Sequence, residues 1–277
     1  MGLIPFTLLV ALTSLIAGLL GALTGLGGGV VIVPVLALLF HVDIRYAIGA
    51  SLVSVIATSS GAAAAYVREG FSNVRIGMFL EVATTLGALV GAYLTAKVST
   101  HAIAIVFGVV LLYSAWSSFS EKPSRRSRKP SQLAIKLKLN GDYPAAEGPA
   151  DYVAERVPAG FGIMVLAGIL SGLLGIGSGA VKVLAMDQAM GLPFKVSTTT
   201  SNFMIGVTAA ASAGVYLARG YIAPGLAAPV MLGVLLGSLA GSRMLVKIRV
   251  SVLRLAFAVI IVALGIEMIF SGATGRL

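Results

Sequence analysis

The chain has 277 residues, of which 58% are apolar and 11% are charged, and its mean hydropathy is +1.00. Soluble domains carry about a quarter charged residues, so this composition excludes a water-soluble globule and indicates an integral membrane protein. The chain has no Cys, two His and ten Asp and Glu residues. It therefore offers no thiolates and little material for a metal cage, and we expect neither a metal nor a cofactor.

The chain carries a net charge of +10, and its charged side chains are concentrated in residues 118–157, which hold 13 of the 30 charged side chains and eight of the 20 Lys and Arg residues. Basic loops of membrane proteins face the cytoplasm, and the polybasic run 122–129 suits anionic lipid headgroups. We expect membrane lipids as partners and no nucleic acid, because most of the positive charge is loop charge.

Apolar segments follow one another along the chain, and about 20 apolar residues are needed to cross the bilayer as a helix. Segments 29–40 and 179–190 are too short to cross upright, and each follows a Gly-rich break, which predicts discontinuous or re-entrant helices. The first segment lacks a basic start, so we interpret it as retained and not as a cleaved signal peptide. The segments are 3–23, 29–40, 47–67, 76–96, 102–119, 159–176, 179–190, 197–218, 225–246 and 253–271.

The chain is an internal duplication. An offset of 150 aligns residues 16–117 with 166–267 without a gap, with 21 identities in 102 positions, among them four glycines of each Gly-rich region. The domains predicted are a first transmembrane repeat (1–117), a basic cytoplasmic linker (118–157) and a second transmembrane repeat (158–277).

The positive-inside rule predicts that the two repeats are inverted relative to each other. If the linker is cytoplasmic and the side of the membrane alternates from one span to the next in both directions along the chain, 15 of the 20 basic residues lie inside and four outside. Lys182 then lies in the membrane. Equivalent loops then lie on opposite sides of the bilayer. The predicted fold is an all-α integral membrane protein of two inverted-topology repeats, each with about five helical segments, as in many secondary transporters.

The linker also contains a short alternating pattern. Leu133, Ile135, Leu137 and Leu139 alternate with small or basic residues, and Asn140-Gly141 follows as a turn signal. We predict a small β-hairpin there.

The two Gly-rich breaks are the first candidate binding elements. Helices that begin inside the membrane present unpaired N–H groups and the positive end of their dipole, which suits an anion. The alternative is that the glycines only permit close helix packing. The residues concerned are Gly27, Gly28 and Gly29 in the first break and Gly177, Ser178 and Gly179 in the second.

Lys182 lies three residues after Gly179, and a charge near the bilayer centre costs at least about 2.5 to 3.5 kcal/mol. It needs a partner, and Asp187 is about 140° around the same helix. We expect a bound anion, with snorkelling to water or pairing with a carboxylate of another helix as open alternatives.

Short hydroxyl side chains cluster on two repeat-related helices and can coordinate an oxyanion without a covalent step. Hydrogen bonds between packed helices are the alternative. The candidate binding residues are Ser51, Thr200, Ser201 and Asn202. Glu81 lies six residues after Arg75, which leaves two readings open: proton coupling, or a place at the cytoplasmic interface.

The sequence resembles the TauE/SafE family of sulfite and organosulfonate exporters, which is related to the 4-toluenesulfonate uptake permeases. The resemblance rests on GLGGG at 25–29 with Pro34, GIGSG at 175–179, and the runs 182–187 and 195–206. It implies transport of small sulfur-containing anions, such as sulfite or sulfoacetate, across the plasma membrane.

We therefore expect a multi-pass transporter of the cell membrane, with export as the favoured direction and a homodimer as an open possibility. An exporter of a monoanion could run on the membrane potential alone, at about 2.3 kcal/mol per 100 mV, whereas uptake would need a coupling ion. An anion channel is the alternative function. A membrane-embedded enzyme is a weaker one, because no Ser-His-Asp or His-Glu-x-x-His spacing is present.

Overall fold

The computed structural model describes residues 3–24, 28–68, 72–119, 131–145, 148–244 and 250–276, and these residues are almost entirely helical. The first half contains α1 (Leu3–Thr24), α2 (Gly29–Pro34), α3 (Ile44–Arg68), α4 (Val74–Leu94) and α5 (Thr100–Phe119). The linker contains α6 (Gln132–Lys136), β1 (Gly141–Ala145) and β2 (Gly148–Tyr152). The second half contains α7 (Val157–Leu174), α8 (Gly179–Leu184), α9 (Phe194–Ala218), α10 (Pro224–Met244) and α11 (Val250–Thr274).

Apart from α6, the described helices follow the order that hydropathy predicts, and their bounds differ from the predicted ones by up to three residues when α2 and α8 are taken with the turns that follow them. This confirms an all-α membrane protein. Helices α4, α7 and α9 are long and apolar enough to cross a bilayer, and in the other apolar helices the stretches whose side chains the structure describes are shorter. The short helices α2 and α8 each continue into a π-helical turn, Val35–Leu39 and Ala185–Ala189. Each of these units is about 16 Å long, roughly half of the hydrocarbon thickness.

Equivalent helices of the two halves make equivalent contacts. Helix α1 packs against α10 as α7 packs against α4. A Cβ atom added at Gly18 would lie 2.2 Å from the carbonyl oxygen of Val234, and one added at Gly168 would lie 2.1 Å from that of Thr84. The offset of 150 that relates Gly18 to Gly168 also relates Thr84 to Val234. The duplication therefore extends from the sequence to the helix contacts.

Helices α5 and α11, which are equivalent under the same offset, pack against each other and run antiparallel. A Cβ atom at Gly108 would lie 2.5 Å from the carbonyl oxygen of Gly265, and one at Gly272 would lie 2.8 Å from that of His101. Residue numbers fall along α11 as they rise along α5. Equivalent helices in contact thus have opposite directions.

Helices α4 and α9 run parallel, because hydrogen bonds join them in the same order along both. The backbone N–H of Asn73 donates to Thr200 Oγ1 (3.1 Å), at the start of both helices. Near their far ends, Arg219 donates to the carbonyl oxygen of Ala92 (3.0 Å). Arg45, at the start of α3, donates to the carbonyls of Thr95 and Val98 at the same end of α4.

The linker hairpin is present, but the sequence-based position was wrong. Strands β1 and β2 pair antiparallel from Gly141 with Tyr152 to Ala145 with Gly148, whereas the alternating segment forms α6 and a turn. Ile135 N–H bonds to Ser131 O and Leu137 N–H bonds to Leu133 O, so local backbone bonds outweigh the alternating pattern. Ala134 is buried, whereas Leu133, Ile135 and Leu137 are exposed. The polybasic run 122–129 lies outside the described residues.

The linker docks on the start of α4 through Asn73. The Asn73 carboxamide oxygen caps the helix by accepting from Ile76 N–H (3.0 Å), and its Nδ2 donates to Tyr152 OH (2.6 Å) and Leu139 O (3.3 Å). Burial raises the pKa of Tyr152. The linker, α4, α7, α9 and the π-helical turn after α8 share one apolar core, which includes Ile76, Leu80, Leu139, Tyr152, Met164, Met186, Met190 and Met204.

Candidate functional site

The two Gly-rich breaks lie against each other. Ser51 Oγ donates to the carbonyl oxygen of Gly175 (2.8 Å). A Cβ atom added at Gly29 would lie 2.5 Å from Ser51 Oγ and 3.2 Å from Gly175 O, so only glycine fits there without a shift. Gly28 is buried and accepts the first backbone bonds of α2. Gly27 lies outside the described residues.

The second break places three predicted residues at the start of α8. Gly177 and Ser178 both have positive φ, at 68° and 45°. Ser178 Oγ donates to Ala167 O (2.6 Å) and makes no capping bond to α8. Ser201 Oγ of α9 donates to Gly179 O (3.3 Å). The serine hydroxyls at the breaks therefore bond to carbonyl oxygens and leave the helix N–H groups without side-chain caps.

Lys182 is fully buried, at 0% exposure, so snorkelling to water is excluded. Its Nζ donates to Thr208 Oγ1 of α9 (2.5 Å). The Thr208 hydroxyl is also 2.6 Å from Glu81 Oε1 of α4. The structure thus corresponds to the alternative in which a carboxylate of another helix partners the lysine, here through a bridging hydroxyl.

Glu81 is 8% exposed, so its side chain is buried among the neighbouring helices. Helix α4 buries the face that carries Glu81 against α7 and α9. Glu81 Oε1 accepts from Thr208 and from Thr85 Oγ1 (3.2 Å). Glu81 Oε2 is buried and has no hydrogen-bond partner among the described residues. An unpaired buried carboxylate oxygen is costly, because its lost hydration is not replaced.

Lys182, Glu81 and Thr208 have equivalents at the offset of 150, but the charged side chains are present at one of the two equivalent sites and absent at the other. The positions equivalent to Lys182, Glu81 and Thr208 hold Ile32, Met231 and Thr58. Ile32 is fully buried, and Thr58 Oγ1 bonds to the backbone carbonyls of Ser54 and Val55 in its own helix. The duplicated fold therefore has one charged site and one apolar counterpart.

Two predicted binding residues lie elsewhere on α9. Thr200 accepts the Asn73 N–H at the start of the helix, eight residues or about 12 Å from Thr208. Asn202 is half-buried, six residues before Thr208. Polarity alone could not rank these residues, since hydroxyl and amide groups occur along the whole first half of α9.

Sequence reasoning missed Thr208 as a site residue. The sequence did mark this position, because threonine recurs at 58 and 208 across the offset of 150. A threonine in an apolar helix does not indicate a site, however, unless the side chains that it contacts are known. Within the described residues, no group of three or more His, Cys, Asp or Glu side chains could hold a metal ion.

These features define a multi-pass helical membrane protein in which a buried lysine and a buried glutamate are joined through a threonine hydroxyl. A family model described as sulfite exporter TauE/SafE matches residues 10–268, so the chain belongs to this family of membrane transporters.

Curated relatives carry transporter names as well. The chain is 28% identical to "Probable membrane transporter protein YunE" of Bacillus subtilis over 274 residues, 96% of this chain and 98% of that protein. It is 24% identical to "Probable membrane transporter protein YdhB" of the same organism, over 85% of this chain and 89% of that protein. A "Probable membrane transporter protein" of Haemophilus influenzae is 24% identical, over 74% of this chain and 69% of that protein. No solved structure matches the chain.

Proposed function

We propose that this protein is a secondary transporter of the cell membrane that exports small sulfur-containing anions, such as sulfite, sulfoacetate or other sulfonates, by alternating access. The observation that carries the proposal is Lys182, a fully buried cation whose amine bonds to a neutral hydroxyl and not directly to a carboxylate. The family description, sulfite exporter, supports an anion as the substrate.

The amine and the two breaks supply complementary donors for a sulfonate group. Lys182 follows the start of α8 by three residues. The uncapped N–H groups of α8 and α2 add donors and a favourable dipole, and Ser51 and Ser201 already lie at the breaks. The proposed binding residues are Gly28, Gly29, Ser51, Gly177, Ser178, Gly179, Lys182 and Ser201. Asn202 is left out, because it lies six residues before Thr208 on α9. Thr200 is left out, because its hydroxyl bonds to Asn73 at the start of α4.

Alternating access would come from rocking of two inverted repeats around this site. Contacts between equivalent helices of opposite direction support the inversion. The docking of the linker at the starts of α4 and α9 supports a single cytoplasmic end, where Arg75 and Lys195 also lie. Arg45 and Arg219 each donate to backbone carbonyls at the other end of α4, which supports their predicted position on the outer side of the membrane.

A ligand screen tests the substrate class. Purified protein in detergent is heated with sulfite, sulfoacetate, taurine, sulfate or thiosulfate, and a ligand that binds the folded state raises the melting temperature. We expect at least one organosulfur anion to stabilise the protein and chloride at the same ionic strength not to. Equal melting temperatures with every anion would contradict the proposal.

Transport by reconstituted protein distinguishes a carrier from an anion channel. We expect saturable uptake of the stabilising anion that is accelerated when the same anion is present inside the vesicles, because a carrier reorients faster when loaded. Uptake that neither saturates nor responds to internal anion would favour the channel.

A further inference from the structure

We infer that anion binding at Lys182 takes up one proton, and that Glu81 accepts it on its free Oε2. The inference rests on the proposed function and adds a chemical coupling to it. It starts from a count of charges. In the structure Lys182 and Glu81 are linked through Thr208, and their opposite charges compensate each other in the buried interior.

An anion at Lys182 leaves this site with one positive and two negative charges. A buried net charge is strongly unfavourable in the membrane interior. The charge is removed when a proton from water on the open side binds Glu81. Glu81 Oε2 is buried and has no partner among the described residues, so it is the atom free to take the proton. Glu81 Oε1 keeps its bonds from Thr208 and Thr85.

Other charged groups do not replace Glu81 in this role. Helix α7, which packs against α4, contains no ionisable side chain. Helix α9 carries Lys195 at its exposed start and Tyr216 near its end, where Tyr216 OH bonds to Gly172 O. The turn after α8 carries Asp187, which is half-buried. The linker face on α4 presents Tyr152, which bonds to Asn73.

Thr208 holds the pair in an exchangeable state. In a direct ion pair the carboxylate itself would accept the hydrogen bond of the amine. Here Thr208 Oγ1 lies between them, 2.5 Å from Lys182 Nζ and 2.6 Å from Glu81 Oε1. An anion therefore competes with a neutral hydroxyl for the amine. The equivalent site of the other repeat, with Ile32 and Met231, has no such groups. Of these two equivalent positions, one thus carries the groups for an anion and a proton and the other does not.

The coupling changes the driving force expected for export. The empty site with Lys182 and ionised Glu81 is neutral, and the site loaded with a monoanion and a proton is neutral too. Translocation then moves no net charge, so the outward flux follows the anion gradient and the pH difference and not the membrane potential.

The test is isothermal titration of the detergent-purified full chain with methanesulfonate, whose own charge is constant across the pH range used. Titration in two buffers of different ionisation enthalpy gives the number of protons taken up. We expect about one proton for the wild type, and an affinity that rises up to about tenfold for each unit that the pH falls. Glu81→Gln, which keeps the size and the acceptor of the side chain, should bind with no proton uptake and no pH dependence.

Glu267→Gln is the matched control, because Glu267 is an exposed carboxylate on α11. It should behave as the wild type. The inference is overturned if the wild type binds methanesulfonate without proton uptake, or if Glu81→Gln still takes up a proton. If the wild type binds no organosulfur anion at either end of the pH range, the proposed function itself fails. Cooperative thermal unfolding of each variant verifies that its titration reports on folded protein.

Discussion

Substitution of Gly168 tests the packing that relates the two repeats. A Cβ atom there would lie 2.1 Å from the carbonyl oxygen of Thr84 and 2.9 Å from its Cα, so the obstacle is the backbone of α4. Ordinary contact needs about 3.5 Å, and α4 and α7 would have to separate by more than about 1 Å. Overpacking costs about 1 to 3 kcal/mol, and a backbone obstacle favours the upper end.

Part of this cost is offset, because Ala is favoured over Gly in a helix by about 0.5 to 1 kcal/mol. Gly168→Ala should therefore lose about 2 kcal/mol, which lowers the melting temperature by roughly 4 to 8 °C for a chain of this size. The repeat-related Gly18→Ala should lose a similar amount, since its Cβ would lie 2.2 Å from Val234 O.

The assay is thermal unfolding in detergent, with Gly162→Ala as the control in the same helix. Gly162 has nothing within 4 Å of an added Cβ, so this variant should melt at or above the wild-type temperature. If Gly168→Ala melts together with Gly162→Ala, the close approach of α4 and α7 is not what the contacts imply, and the reasoning on helix packing fails.

Three further changes test individual contacts by thermal unfolding. Ser51→Ala removes the bond to Gly175 O and should cost about 1 kcal/mol; an unchanged melting temperature would show that the breaks do not need it. Gly177→Ala forces a residue with a side chain to φ 68° and should cost about 1 to 2 kcal/mol or more, so a stabilised variant would contradict that backbone conformation. Burial raises the pKa of Tyr152, so the stability that its neutral hydroxyl contributes is present below about pH 10 and lost as pH rises through the raised pKa. Tyr152→Phe, which leaves Asn73 without its phenol partner, should lose that alkaline transition, and a transition that persists would assign it to another group.

The sequence was sufficient to predict the helices and the duplication, because both depend on patterns repeated over many residues. Apolar runs long enough to cross a bilayer, and glycines that recur at one offset, remain recognisable even when single positions differ from the pattern. The hairpin was misplaced because a few backbone bonds, such as Ile135 N–H to Ser131 O, decide a five-residue element.

The charged site was only half predictable. Lys182 was identifiable from the cost of a charge in an apolar helix. Its relation to Glu81 was not, because the two residues are 101 positions apart and are joined through a threonine on a third helix. The packing of α4, α8 and α9 determines that arrangement, and no spacing within one helix encodes it.

The role of Lys182 is tested most directly by transport of a radiolabelled sulfonate into proteoliposomes. The informative variant is Lys182→Met combined with Glu81→Gln, which keeps the side-chain volumes and leaves no buried charge unpaired, and Lys195→Met at the exposed start of α9 is the control. We predict saturable, trans-stimulated uptake by the wild type and the control, and at least a tenfold loss in the double variant. Wild-type uptake by a folded double variant would show that the anion crosses the protein without Lys182, and the proposed site would be wrong.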